Sequence, residues 1–164
     1  MAALSAGTVA PDVPLRDMEG KAFSLEHALK KGPVVLAFFK ISCPVCQYTF
    51  PFLERLYKAH KDHATILGVS QNSKTDTARF LREYGITFRT LLDDPDTYPV
   101  SNAYGLTNVP TIFLVTPGGE IEVSSVGWSR RDLEEMNRRL AEASSAKPSS
   151  LFHRGEDVID SKAG

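Results

Sequence analysis

The stretch that decides the fold is Val34-Val35-Leu36-Ala37-Phe38-Phe39-Lys40-Ile41-Ser42-Cys43-Pro44-Val45-Cys46. Its first six residues are apolar without a break and rich in β-formers, so they predict a strand buried on both faces. Beyond the cysteines, Val45, Tyr48, Thr49, Phe52, Leu53 and Leu56 recur at helical spacing and predict a helix to about Lys61. Pro51 falls inside that pattern and predicts a kink, because it has no backbone N–H to donate. A buried strand that feeds a helix through a cysteine pair puts reactive groups at the carboxyl end of the strand, where α/β folds carry their sites.

Residues three apart on a helix share a face, with Cα atoms roughly 5–6 Å apart, which is within disulfide range. Cys43 then stands at the helix N-terminus and Cys46 one turn inside it. The unpaired N–H groups and positive dipole end of that terminus favour thiolate over thiol. Pro44 suits the first helical position, where its missing N–H would be unpaired anyway. These positions make Cys43 the attacking nucleophile and Cys46 the resolving thiol. Half of a zinc site and a pair of inert core cysteines are the competing readings. Structural zinc usually takes four Cys or His ligands. The histidines His27, His60, His63 and His153 fall on a helix face, at a helix end, in a loop and near the C-terminus. Neither a metal nor a cofactor is expected.

Upstream, Gly7 to Pro14 reads as an extended lead-in, Asp17-Met18-Glu19-Gly20 as a turn, and Ala22-Phe23 as a short strand. Ser24 can cap a short helix from Leu25 to Lys31 that Gly32 closes. Downstream, Ala64 to Val69 is a second buried strand, and Ser73 opens a helix with Phe80, Leu81 and Tyr84 on its apolar face. Phe88 to Leu92 is a short strand, and Val100 to Tyr104 a short helix. Thr111 to Val115 and Ile121 to Val126 form a hairpin around Thr116-Pro117-Gly118-Gly119. Ser129 caps a last helix whose core stripe is Leu133, Met136 and Leu140. Strands that alternate with helices and end in a hairpin imply an α/β sandwich with a mixed sheet. From Ser144 onward Ser, Lys, Pro and Gly dominate, so residues 1–143 read as one domain and 144–164 as a disordered tail.

Length and composition agree with one soluble domain: 164 residues, 42% apolar, formal net charge −1. No basic block suggests nucleic acid, and no acidic run suggests a charged partner. The longest apolar run, Val34 to Phe39, is too short to span a membrane. The amino terminus lacks a basic region followed by a long apolar stretch, so the reading is a cytoplasmic protein, short of a trimmed export signal. Only two cysteines are present, too few for a multi-bridge secreted framework.

Together these motifs resemble the thioredoxin superfamily. Within it the chain is similar to the redoxin branch that holds the TlpA/ResA-type thiol–disulfide reductases and the AhpC/TSA peroxiredoxin enzymes. The resemblance rests on Ala10-Pro11-Asp12, Leu15, Asp17, Gly20-Lys21 and Ser24-Leu25 at the start, and on the segment Phe80 to Leu92 with Tyr84-Gly85 as a central insertion. It continues through Ala103-Tyr104-Gly105, Val109-Pro110-Thr111 and Gly118-Gly119-Glu120-Ile121. It implies a thioredoxin-like three-layer sandwich with an N-terminal extension and a central insertion. It also implies that Pro110 is a cis-proline standing against the dithiol, and that Val109 pairs with substrate backbone. Thr111 and the Gly127 loop join the same substrate groove. Trp128, the only tryptophan, is then expected across from Cys43, as the apolar wall that Ser42 does not supply; covering the end of the last helix is the alternative.

Three departures from the thioredoxin pattern bear on chemistry. Ser42 precedes the first cysteine in place of Trp, the dipeptide between the cysteines is Pro44-Val45, and Ala37 stands six residues before Cys43 in place of a buried Asp. The proton acceptor for Cys46 is therefore unassigned. The leading function is dithiol–disulfide exchange with protein or small-molecule thiols and disulfides, supplied by an unidentified electron donor. The alternative is a thiol peroxidase with Cys43 peroxidatic and Cys46 resolving. The resemblance argues against it, because Lys40 and Leu36 stand where peroxiredoxins carry a hydroxyl residue and a proline. A redox sensor or copper-handling module is a third reading. Redoxin-like copper chaperones use wider cysteine spacing and a His near the cis-proline, and neither is present here.

Overall fold

The structure, a computed structural model, describes residues 2–164. Its sheet has six strands: β1 (Arg16–Asp17), β2 (Val34–Phe39), β3 (Thr65–Ser70), β4 (Thr90–Leu92), β5 (Thr111–Val115) and β6 (Ile121–Val126). They lie in the order β1-β4-β3-β2-β5-β6. β2, β3 and β4 run parallel, while β1, β5 and β6 are antiparallel to their neighbours. The helices are α1 (Leu25–Leu29), α2 (Pro44–His60), α3 (Lys74–Glu83), α4 (Pro99–Ala103) and α5 (Arg130–Ala143). The expected mixed-sheet sandwich is the fold observed.

The unbroken apolar run of β2 follows from its central place. Successive strand residues point to opposite faces, and here both faces are covered. Val35, Ala37 and Phe39 face a layer that includes Leu53 and Leu56 of α2, Phe80 of α3, and Leu133, Met136 and Leu140 of α5. Val34, Leu36 and Phe38 face a second layer with Leu25 and Leu29 of α1, Val100 of α4, and Tyr104. All six β2 residues are fully buried. Gly68 in β3 has a packing reason: a Cβ there would press on the rings of Phe39 and Phe88 at 3.3 Å.

Local signals set the helix ends. Ser24, Ser73 and Ser129 each accept a backbone N–H three residues on, from His27, Asp76 and Asp132. α2 is continuous through Pro51, which withholds the usual donor from the Gln47 carbonyl. The short strand expected at Ala22-Phe23 is reduced to one bridge, Arg16 with Ala22.

The C-terminal segment differs from expectation. Residues 144–164 are not a free tail but pack back along α2 and α5. Leu151 and Val158 are buried in the α2–α5 layer. Arg55 holds Glu156 through both carboxylate oxygens at 2.7 and 2.8 Å and also donates to the Leu151 carbonyl. Arg130 donates its backbone N–H to Asp160. A two-residue strand β8 (Ser161–Lys162) then pairs antiparallel with β7 (Trp128–Ser129). The composition is polar, yet two apolar pairs, Leu151-Phe152 and Val158-Ile159, interrupt it, and one member of each fills a gap between helices.

Candidate active site

Where β2 ends, the chain turns through Lys40, Ile41 and Ser42 into α2. Two contacts fix this turn: the Asn72 side chain accepts the Ile41 N–H at 2.9 Å, and the Gln47 side chain donates to the Ile41 carbonyl at 3.0 Å. Cys43 is the N-cap of α2, with extended backbone, and Pro44 is the first helical residue. The Cys43 sulfur takes the place of a capping oxygen, accepting the Cys46 N–H at 3.2 Å. Negative charge on that sulfur would thus meet a backbone donor and the positive end of a 17-residue helix.

Both cysteines are free thiols; Cys43 is half-buried and Cys46 fully buried. Burial pushes the Cys46 thiol far above the usual thiol range, and hydrogen bonding and charge repulsion from Cys43 push the same way. No carboxylate or imidazole is among the groups acting on it.

From the other side, the loop before β5 reaches the dithiol. The Val109–Pro110 bond is cis, as the resemblance implies. The Cys43 thiol donates to the Val109 carbonyl at 3.4 Å. β5 lies beside β2 with Thr111 opposite Phe38, which carries this loop to the end of β2 that bears Cys43.

The remaining expected groove residues do not all face outward. Thr111 is fully buried, its hydroxyl donating to the Asn108 carbonyl at 2.7 Å. Gly127 is covered by residues 162–164. Trp128 is not an open wall across from Cys43. It is 2% exposed, packed on Phe52 and Tyr48 of α2 at centroid distances of 5.0 and 5.2 Å. Its position corresponds to the covering role, beneath the C-terminal segment. Val109 alone of this set stays half-exposed. Sequence reasoning missed Asn108, which bonds the C-terminal Gly164 carbonyl at 3.4 Å, and the whole segment that covers Gly127.

Beside Val109 lies a polar cleft of about 210 Å³ walled by Lys40, Gln71, Tyr98 and Asn108. The Lys40 ammonium sits over the Tyr98 ring, 5.3 Å from its centre. A larger cleft, about 520 Å³, lies elsewhere, between the N-terminal lead-in, α1 and the β5–β6 turn. That turn is at the opposite end of β5 from Pro110, and neither cysteine lines the cleft, so size does not mark the site. Among the described residues no group of three or more His, Cys, Asp or Glu side chains is arranged to hold a metal ion, and no helix is long and apolar enough to cross a membrane.

Residues 6–124 match the AhpC/TSA family. The chain is 32% identical over 136 residues to the thiol-disulfide oxidoreductase ResA of Geobacillus thermodenitrificans, covering 81% of this chain and 76% of that protein. It is 34% identical over 133 residues to ResA of Halalkalibacterium halodurans, covering 79% and 74%. Among solved structures, the thioredoxin domain of a thiol-disulfide oxidoreductase from Bacteroides vulgatus superposes with a TM-score of 0.73 at 29% identity, covering 83% of this chain and 97% of that one.

Proposed function

The chain belongs to the AhpC/TSA family, and from that premise we propose that it is a thiol–disulfide oxidoreductase in which Cys43 attacks and Cys46 resolves. The observation that carries this reading is the unequal placement of two thiols three residues apart. One stands half-exposed at a helix N-terminus and receives a backbone N–H; the other is fully buried one turn behind it.

The chemistry follows from that placement. The Cys43 thiolate forms a bond to one sulfur of a substrate disulfide, and the other sulfur leaves as a thiolate and takes a proton. The buried Cys46 keeps its own proton during this step, because burial and the neighbouring thiolate both oppose its ionisation. Once Cys43 is in the mixed disulfide its negative charge is gone, and with it part of what opposed ionisation of Cys46. Cys46 then gives up its proton, bonds to the Cys43 sulfur and releases the second substrate thiol. Two electrons pass from the dithiol to the substrate, and an external thiol reductant restores the pair. The Cys46 N–H orients the attacking sulfur, and the Val109 carbonyl holds the thiol before it ionises. Substrates of this reading are protein or small-molecule disulfides.

Peroxidase chemistry has less support. Lys40 turns its side chain onto Tyr98 and offers Cys43 no hydroxyl to polarise a peroxide.

Insulin reduction driven by dithiothreitol tests the reading. The protein is expected to accelerate precipitation of the insulin B chain, and Cys43→Ser is expected to abolish the acceleration. A rate no faster than that of dithiothreitol alone would overturn it.

A further inference from the structure

The C-terminal residues end on the same carbonyl that holds the Cys43 thiol. A Cβ placed on Gly164 would lie 2.1 Å from the Val109 oxygen and 3.3 Å from the Pro110 ring. That oxygen is the partner of Cys43 Sγ at 3.4 Å. With ordinary bond lengths, the Gly164 Cα is then no more than about 7 Å from the thiol. Against the Gly127 loop the fit of residues 162–164 is equally close. A Cβ on Gly127 would meet the Lys162 oxygen at 2.5 Å and the Gly164 nitrogen at 3.1 Å. Residues 162–164 thus lie between the Gly127 loop and the Val109-Pro110 loop, and the approach needs glycine at Gly127 in the first loop and at Gly164 on the segment itself.

We propose that residues 161–164 are a built-in occupant of the groove beside Cys43, which admits small disulfides and holds out extended polypeptide disulfides until it swings away. The inference rests on the dithiol reading above and adds a rule of substrate size to it.

The segment is built to swing from a fixed root. Its root is firm: Val158 is buried, Glu156 is held by Arg55, and Ile159 is held at both ends, its N–H by the Tyr48 hydroxyl and its carbonyl by the Trp128 indole. Its tip is not. Residues 161–164 are all exposed, and a two-residue strand pairing with one long side-chain hydrogen bond from Asn108 holds them. Short exposed pairings of this kind open at the low end of a protein's range of local stabilities. A polypeptide that lies along Val109 must displace this tip. With the tip seated Cys43 is still half-exposed, which leaves its sulfur within reach of a small disulfide.

The test uses the full-length protein with Gly164→Ala and the larger Gly164→Leu, either of which must lift the tip off the Val109 backbone. Pre-reduced protein is mixed in single turnover with insulin and, separately, with oxidised glutathione. The insulin rate is expected to rise about tenfold in the variants, as for a site that is open only a tenth of the time in the wild type. The glutathione rate is expected to stay unchanged. An insulin-to-glutathione ratio equal to that of the wild type in both variants would overturn the proposal. So would a parallel rise with both substrates, because the tip would then not select by size. A wild type that reduces neither disulfide would instead defeat the dithiol reading, and this inference with it.

Discussion

The indole N–H of Trp128 donates to the Ile159 carbonyl at 2.6 Å, joining the short strand before α5 to the root of the C-terminal segment. The ring itself is wedged against Phe52 and Tyr48. Trp128→Phe keeps an aromatic ring but leaves that carbonyl without its donor and a gap beside α2. A loss of about 1–3 kcal/mol is expected, lowering Tm by about 2–4 °C per kcal/mol. Circular dichroism melts check it, and an unchanged Tm would mean that the indole bond contributes nothing net.

The unequal placement of the two thiols predicts which one can be trapped. Cys46→Ser should accumulate a mixed disulfide on Cys43 when mixed with a disulfide substrate. In Cys43→Ser the remaining thiol stays buried, and burial, the leading cause of its raised pKa, persists. That variant should form no adduct and resist iodoacetamide at neutral pH. Intact-mass spectrometry reads both, and an adduct on Cys46 would reverse the assigned roles.

Lys40 bears on the choice between disulfide and peroxide. Hydrogen peroxide is expected to oxidise Cys43 slowly compared with a disulfide substrate. Lys40→Thr should raise the peroxide rate by at most about tenfold, because an added hydroxyl lacks the preorganised support of an evolved donor. Stopped-flow detection of rapid sulfenic acid formation in the wild type, at micromolar peroxide, would favour the peroxidase.

His60 supplies a pH dependence of stability. It is buried, with Nε2 2.6 Å from the Asn137 oxygen and Nδ1 3.2 Å from His63. Burial lowers its pKa; the bond to Asn137 acts in the opposite sense, and His63 adds to the lowering. The folded value therefore lies below the unfolded value of about 6.5, and the unfolded chain takes up the proton first as pH falls. The contribution is complete above about pH 6.5 and is lost as pH drops toward the folded value. Tm should decline from about pH 7 to about pH 5, with a slope of up to about 1.4 kcal/mol per pH unit. His60→Gln should flatten that decline. Melts that show the same slope in wild type and variant would remove His60 as the cause.

The core strands and the dithiol are legible in the sequence because each rests on a local signal. Val34 to Phe39 has no polar residue for either face, Ser73 and Ser129 announce helix starts, and Cys43-Pro44-Val45-Cys46 has the spacing of a helix N-terminus. What stays hidden depends on contacts between distant parts of the chain. Trp128 could be an open wall or a buried plug, and only the segment carrying Ile159 decides it. That segment reads as disordered because its Ser, Lys, Pro and Gly outnumber its apolar residues. Leu151 and Val158 show no helical or strand period, yet each finds a gap that α2 and α5 leave between them. Thr111 fails as a groove residue for a related reason: in a strand one residue away from Pro110 it points to the other side and is buried.

The bond from Arg55 to Glu156 spans 101 positions, so Arg55 has no partner until that much more chain has been made. Closures over such separations are slow to form and come late. Until that closure forms, Trp128 and Phe52 make an aromatic seam that the C-terminal segment does not yet cover. During that interval the seam is the surface through which one nascent chain is most exposed to aggregation with another. A polar segment that stays hydrated until it docks is suited to that wait, because it does not add to the aggregation hazard it later removes.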